Sequence, residues 1–175
     1  MQVTGYHTLQ DRGNPEEIEL NGPQAYYRSN AWLGHGYYFW DTEIGWAHEW
    51  GKKDTENKDT GYMIFEAQLL IDEHTFDLFG NVAHQKIFTE CAKGMKMQFN
   101  EKIVVPEVIK YLKKYSSFKY NSIRASDDPN PLQFTYNNKR TEQLSLNKRV
   151  QICLIDKTNL ILDSFKVIFP ERYLK

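Results

Sequence analysis

The densest chemistry in the 175-residue sequence lies in Gly34-His35-Gly36-Tyr37-Tyr38-Phe39-Trp40-Asp41, followed directly by a segment carrying Trp46, Ala47 and Trp50. Two glycines let a backbone approach a bound molecule closely, and the rings around them offer faces for a flat group. On its own, such a block is more often a glycine turn leading into an aromatic strand. A second candidate is His7 in Tyr6-His7-Thr8, at the end of a short strand-like run, where an imidazole is more often an ordinary polar residue than a ligand contact. His48, His74 and His84 have no spacing to one another that suggests a metal. Lys110, Lys113, Lys114 and Lys119 alternate with Tyr111, Tyr115 and Tyr120 as on a nucleic-acid surface, although such runs are more commonly the solvated face of a helix.

The elements that must position these residues are legible in outline. Residues 2–9 read as a strand, and the polar stretch from Asp11 to Pro23 reads as loop. Asp41 or Thr42 is placed to cap a helix carrying Ile44, Ala47, His48 and Trp50, with Gly51 as its expected end. Lys52 to Asp59 then reads as an exposed loop, and Tyr62 to Ile71 as an apolar strand. Val82, Ile87, Phe88, Cys91 and Ala92 recur at helical spacing, and Pro106 opens a further helix with Val108, Ile109 and Leu112. Strand character returns in Phe118 to Ala125 and in the runs Val150 to Ile155 and Leu160 to Phe169. Between them, Asp127 to Asn147 is a polar stretch longer than a compact domain usually leaves unstructured, which suggests a functional loop or an ordered insertion. Strands flanking a central helical region define the class α+β.

Length and 41% hydrophobic content suit one domain over residues 1–175 with a single sizeable core. A net charge of -1 gives no global case for a polyanionic partner, and 14% aromatic residues supply stacking surface. Cys91 and Cys153 sit in apolar contexts without C-x-x-C spacing, so they are expected to be reduced core thiols. The N-terminus has neither a basic start nor an apolar stretch, and no run approaches the roughly 20 residues that span a bilayer. A cytoplasmic protein without membrane association is the expectation.

Taken together, the motifs resemble the ADP-ribosyltransferase superfamily, in the branch shared by diphtheria-type toxins and the poly(ADP-ribose) polymerase catalytic domain. The resemblance runs over residues 6–155 and rests on order as well as content. Tyr6-His7-Thr8 looks like the first motif, and Gly34-His35-Gly36-Tyr37-Tyr38-Phe39 with Ala47 and Trp50 looks like the second. Gln151-Ile152-Cys153-Leu154-Ile155 resembles the closing strand, whose first residue is the third catalytic position. Tyr120-Asn121-Ser122-Ile123-Arg124-Ala125 is similar to the strand before it in small bacterial members.

The resemblance implies a split antiparallel β-sheet with a few helices, NAD as co-substrate and no metal. It implies catalytic roles for His7, Tyr38 and Gln151. His7 would hydrogen-bond the adenine-side ribose, the Thr8 main chain would hold the nicotinamide carboxamide, and Gly36 would allow close approach. Tyr38 would stack on nicotinamide from one side, with Trp50 or Trp46 opposite. Arg28 offers a fork suited to the pyrophosphate, and Arg124 points either into the cleft or into a structural ion pair.

Two departures qualify this set. Thr8 stands where the family usually has Gly, and Gln151 stands where the well-known members have Glu. A neutral amide bonds a ribose hydroxyl but neither acts as a base nor neutralises a developing cation, which makes chain elongation improbable. If Gln151 is only a strand residue, the acid lies elsewhere, at Glu142, Glu66 or Asp127. The implied activity is mono-ADP-ribosyl transfer to RNA, DNA or protein, as a toxin of a toxin-antitoxin or phage-defence system with an antitoxin partner. The alternatives are a protein-modifying effector, a tRNA 2′-phosphotransferase relative, and an inactive module that holds NAD or ADP-ribose.

Overall fold

Alternation along the first strand sets the geometry of everything that follows. In β1 (Gln2–Gln10), Gly5 and His7 turn inward on one face, while Thr4, Tyr6 and Thr8 turn to the other. This computed structural model describes residues 1–56, 58–99, 102–127, 132–136, 140–144, 146 and 148–174, with only the backbone described at 99, 132–136 and 140–144. After β1 come α1 (Pro15–Asn21), β2 (Tyr37–Asp41), α2 (Ile44–Thr55), β3 (Tyr62–Leu70) and β4 (Thr75–Asp77). Then follow α3 (Val82–Phe99), α4 (Val105–Tyr115), β5 (Ser122–Ser126), β6 (Leu132–Tyr136), β7 (Arg140–Leu144), β8 (Val150–Leu154) and β9 (Lys166–Phe169).

Seven of these strands form one sheet in the order β4-β5-β8-β2-β1-β3-β9, and β6 and β7 pair as a separate hairpin. Every neighbouring pair in the large sheet is antiparallel except β4 with β5. The architecture is therefore α+β, as the order of elements implied. One face of the sheet is covered by α1 and the C-terminal segment, with Ile18, Phe39, Phe65, Leu69, Ile152 and Phe165 in a shared core. Phe65 and Phe165 stack there at 5.0 Å between ring centroids, each contributing roughly 1.5–3 kcal/mol through burial. On the other face, α2 covers Trp40 and Ile64 through Ala47, while α4 and Met95 of α3 cover Phe76, Ile123 and Cys153. β3 is covered on both faces over most of its length, which is why it reads as a nearly continuous apolar run.

Besides a register shift between β3 and β9 at Ile64 and Phe65, the sheet is interrupted at its centre. β1 pairs with β3 over nine consecutive positions, from Gln2 opposite Leu70 to Gln10 opposite Tyr62. It pairs with β2 at only two, Gly5 with Asp41 and Tyr6 with Trp40. Beyond Tyr6 the two central strands part. The vacated edge of β2 is taken lower down by Tyr26, which exchanges backbone hydrogen bonds with Gly36 at 2.7 and 3.3 Å.

Several local expectations need correction. Asp11 to Pro23 is not all loop: Pro15 opens α1, Glu16 and Glu17 occupy its first turn, and Ile18 anchors it to the core. The cap of α2 is neither Asp41 nor Thr42 but Glu43, whose side chain accepts from Gly45 N–H at 2.8 Å. Nor does α2 stop at Gly51. It runs on to Thr55, because Gly51 is a buried contact point at which a side chain would collide with the Tyr62 ring. Strand β5 begins at Ser122 rather than Phe118, and β4 beside it was not foreseen. The run Leu160 to Phe169 breaks into a 3-10 turn at Leu162–Ser164 and then β9. The long polar stretch contains the β6/β7 hairpin. Cys91 and Cys153 are free thiols, and among the described residues no helix is long and apolar enough to cross a membrane.

Two glycine substitutions test this packing. In Gly51→Ala the new methyl carbon would lie 2.3 Å from a Tyr62 ring atom, so an overpacking cost of about 1–3 kcal/mol exceeds the roughly 1 kcal/mol of added helix propensity. Its denaturant midpoint should fall. Gly94→Ala, in α3 with nothing within 4 Å of the added carbon, should instead stabilise by roughly 0.5–1 kcal/mol in the same measurement.

Candidate functional site

The parting of β1 from β2 leaves backbone groups facing open space. Thr4 C=O accepts from Thr42 N–H at 2.8 Å, so the peptide groups of Thr4 look toward β2. Along an unbroken ladder with β3, alternation turns Tyr6 and Thr8 the same way. Had pairing continued from Tyr6 and Trp40, Thr8 would face Tyr38. Instead the Tyr38 carbonyl accepts from His7 Nδ1–H at 2.7 Å, and the Thr8 N–H and C=O are left without a strand partner on that edge among the described residues. The Thr8 hydroxyl donates to Ala47 C=O at 3.1 Å, which ties its side chain to α2 and away from the backbone gap.

His7 is only 4% exposed, packed between Phe39 and Phe165. Its tautomer follows from its partners. Nδ1 must carry the proton given to Tyr38 C=O, so Nε2 is the acceptor for Gln24 N–H at 3.2 Å. Burial pushes the imidazole pKa down to about 4, against a smaller opposing effect of the Tyr38 bond, so the ring is neutral across physiological pH. His7 lines the cleft, yet both its nitrogens are already engaged within the protein. A direct bond to a ribose would require Gln24 to move first.

Tyr38 is similarly committed at its hydroxyl, which donates to Gly34 C=O at 2.6 Å and accepts from Leu33 N–H at 3.0 Å. Burial, with Cys153 alongside, raises its pKa well above the ordinary phenol value, and burial pushes the Cys153 thiol up to about 12. The two tyrosine bonds hold the turn in which Gly34 adopts φ +91°, a conformation that suits glycine. Gly36 is different. It does not line the cleft; it packs against β8, where an added carbon would lie 2.3 Å from Leu154 O. Its role is to let β2 approach β8.

Gln151 sits in β8 between Trp40 of β2 and Ala125 of β5, with its side chain on the face of the sheet that α2 covers. Trp32 Nε1–H donates to Gln151 Oε1 at 2.5 Å. An indole nitrogen can only donate, so this bond fixes the amide: oxygen toward Trp32, and the NH₂ free to donate elsewhere. Next to it, Arg149 holds Asp127 by two bonds of 3.0 and 2.5 Å. Asp127 is therefore paired. Glu66 lies elsewhere, beside Tyr6, whose pKa burial raises with help from Glu66 and Glu43, and the side chain of Glu142 falls outside the described residues.

These groups surround a cleft of about 940 Å³, within the range of small-molecule sites. It gathers His7, Thr8, Tyr38, Trp50, Arg28 and Gln151 over 144 positions of sequence, with Trp46 and Trp40 beside Trp50. Arg28 lies at the exposed mouth, 5.3 Å above the Tyr26 ring and 3.6 Å from Asp54 of α2. Arg124 stays out of the cleft, bonded to Asp41 at 2.7 Å and Asp77 at 3.3 Å in a largely buried ion-pair group. Lys110, Lys113, Lys114 and Tyr115 form the exposed side of α4, whose Val108, Ile109 and Leu112 are buried, whereas Tyr111 packs partly on that core and Lys119 and Tyr120 lie beyond the helix, with Tyr120 against Phe76 and His84. Among the described residues, no group of three or more His, Cys, Asp or Glu is arranged to hold a metal ion.

Sequence reasoning missed Trp32, Gln24 and Glu49. The first two act through contacts that no local pattern reveals. Glu49 had a signal, because Trp46, Glu49, Trp50 and Lys53 fall at i, i+3, i+4 and i+7 on α2 and all four line the cleft.

Comparison with protein-family models, curated proteins and solved structures finds no match to this chain.

The depressed His7 pKa gives a pH prediction with a definite sign. Between about pH 4 and 6.5 the unfolded chain binds a proton that the folded chain refuses, so this contribution to stability is complete above pH 6.5 and is lost as pH falls to 4. The loss should amount to about 3 kcal/mol in denaturant titrations. His7→Asn should show a shallower decline, and NMR should place the His7 midpoint near 4 rather than 6.5.

Proposed function

We propose that the chain is a mono-ADP-ribosyltransferase that uses NAD and modifies a macromolecular acceptor, in a fold of the split-sheet ADP-ribosyltransferase type. The observation that carries this reading is the open backbone edge at Thr8 beside the Tyr38 ring. One strand residue offering both N–H and C=O complements a planar carboxamide, which carries one acceptor oxygen and an NH₂ donor. A flat ring held that way lies against Tyr38, with the indoles of α2 nearby. Clamping a leaving group in this manner favours cleavage of the nicotinamide–ribose bond through an oxocarbenium-like transition state.

The chain's own residues divide the work. Thr8 and Tyr38 orient the nicotinamide end. Gln151, through the NH₂ that Trp32 leaves free, donates to a ribose oxygen. Arg28, at the mouth, faces the phosphates. His7 acts from behind: it holds the Tyr38 carbonyl and the Gln24 segment, and so supports the pocket instead of touching the ribose. A binding module without turnover is the competing reading, favoured by the neutral amide at position 151.

Labelled NAD incubated with the protein and bacterial lysate, then digested with protease or nuclease, separates these readings. Transfer of label supports a transferase, and the digestion that removes it identifies the acceptor as protein or nucleic acid. NAD binding without transfer or nicotinamide release supports the module. In an active enzyme Gln151→Ala should slow turnover by on the order of 10²-fold, the scale of losing one donor aimed at the transition state. Trp32→Phe leaves the amide in place but unclamped, and should cost roughly two- to tenfold. Tyr38→Ala should abolish turnover, whereas Tyr38→Phe should retain part. Full activity in both Gln151→Ala and Tyr38→Ala, with folding intact, would place the chemistry elsewhere.

A further inference from the structure

Transfer to a nucleophile releases a proton, and Gln151 cannot accept it. The other titratable groups that line the cleft are almost all committed. His7 has both ring nitrogens bonded and a pKa near 4. Tyr38 donates to Gly34, and Tyr26 donates to Asn30 at 2.8 Å. Asp127 is held by Arg149, and Asp54 by Arg28 and, at 3.0 Å, by Lys58. Glu49, exposed to solvent on α2, is alone among the cleft carboxylates in having no hydrogen bond or ion pair among the described residues.

Its placement is as informative as its freedom. Glu49 lies on the α2 stripe with Trp46 and Trp50, and the same helix is docked against the open edge by the Thr8 bond to Ala47. Trp50 approaches Trp40 at 6.4 Å between centroids, and Trp40 is the neighbour of Gln151 in the sheet. The carboxylate therefore lines the cleft from the helix that adjoins the open edge, on the same wall as Trp46 and Trp50.

We propose that Glu49 is the proton acceptor of the transfer reaction, a role separated in this chain from position 151. This assignment rests on the transferase reading above. The bond between nicotinamide and the anomeric carbon breaks, and its electron pair leaves on nicotinamide. A lone pair of the acceptor forms the new bond to the same carbon, and the acceptor's proton passes to the Glu49 carboxylate and then to solvent. No oxidant or reductant is involved. Glu49 also supplies negative charge near the cationic transition state that the neutral amide of Gln151 does not.

The test compares wild type with Glu49→Gln, Glu49→Asp and Glu49→Ala, measuring NAD binding by calorimetry and nicotinamide release in the presence of bacterial lysate. Glu49→Gln should bind NAD within about twofold of wild type while release falls on the order of 10²-fold. Glu49→Asp should recover part of the rate. Added formate should restore Glu49→Ala at least severalfold, an effect that a merely structural role would not produce. Thermal melts confirm that each variant is folded. A wild-type protein that neither binds nor consumes NAD overturns the transferase reading and this assignment with it. Wild-type turnover together with unimpaired Glu49→Gln, or with a folded Glu49→Ala that formate does not restore, overturns the Glu49 assignment alone.

Discussion

Between Thr8 and Tyr38 the central ladder should continue, and the His7 imidazole takes over from it. Its Nδ1–H occupies the carbonyl that Thr8 would otherwise have bonded, and its Nε2 holds the segment that enters the cleft wall at Gln24. The Tyr38 carbonyl and the Gln24 amide, both partly shielded, are thereby satisfied by one neutral ring, and neither is left unpaired. The same substitution frees Thr8. A gap in a sheet is normally a defect to be covered; here the side chain that makes it tolerable stands on the opposite face, in the core with Phe39 and Phe165.

From that gap the rest of the cleft follows. Because β1 leaves β2, Tyr26 can pair with Gly36, and the segment between them folds over the opening with Trp32 reaching Gln151. Because Gly36 lacks a side chain, β2 still lies close enough to β8 for Tyr38 and Gln151 to share one face. The Arg124 group with Asp41 and Asp77 ties β2 to β5 and β4 across the adjacent strand, where removing the arginine would leave two shielded carboxylates uncompensated.

The sequence disclosed the elements that obey a simple period. β1 and α4 were legible because their buried positions recur at two or at 3.6 residues, and β3 because its length and apolar content suit a strand. α1 escaped because seven residues with Ile18 as their chief anchor carry little periodicity, although Pro15 and the acidic first turn were signals. Gly51 misled because a glycine in a helix reads as a stop, and only the Tyr62 ring explains it as a contact. At the site, His7, Thr8, Arg28, Tyr38, Trp50 and Gln151 line one cleft, and Gly36 does not. What they bond to was not legible. The Trp32 to Gln151 bond spans 119 positions, and nothing local announces that His7 would have no free nitrogen.

All four tryptophans of the chain, Trp32, Trp40, Trp46 and Trp50, line this one cleft. Light absorbed selectively by indole is therefore absorbed only there. The protein's intrinsic emission is a local gauge of the cleft's polarity and occupancy, silent about events on the far face of the sheet or along α3 and α4. A molecule that settles among these rings reports itself without a label, and one that binds elsewhere leaves the spectrum as it was.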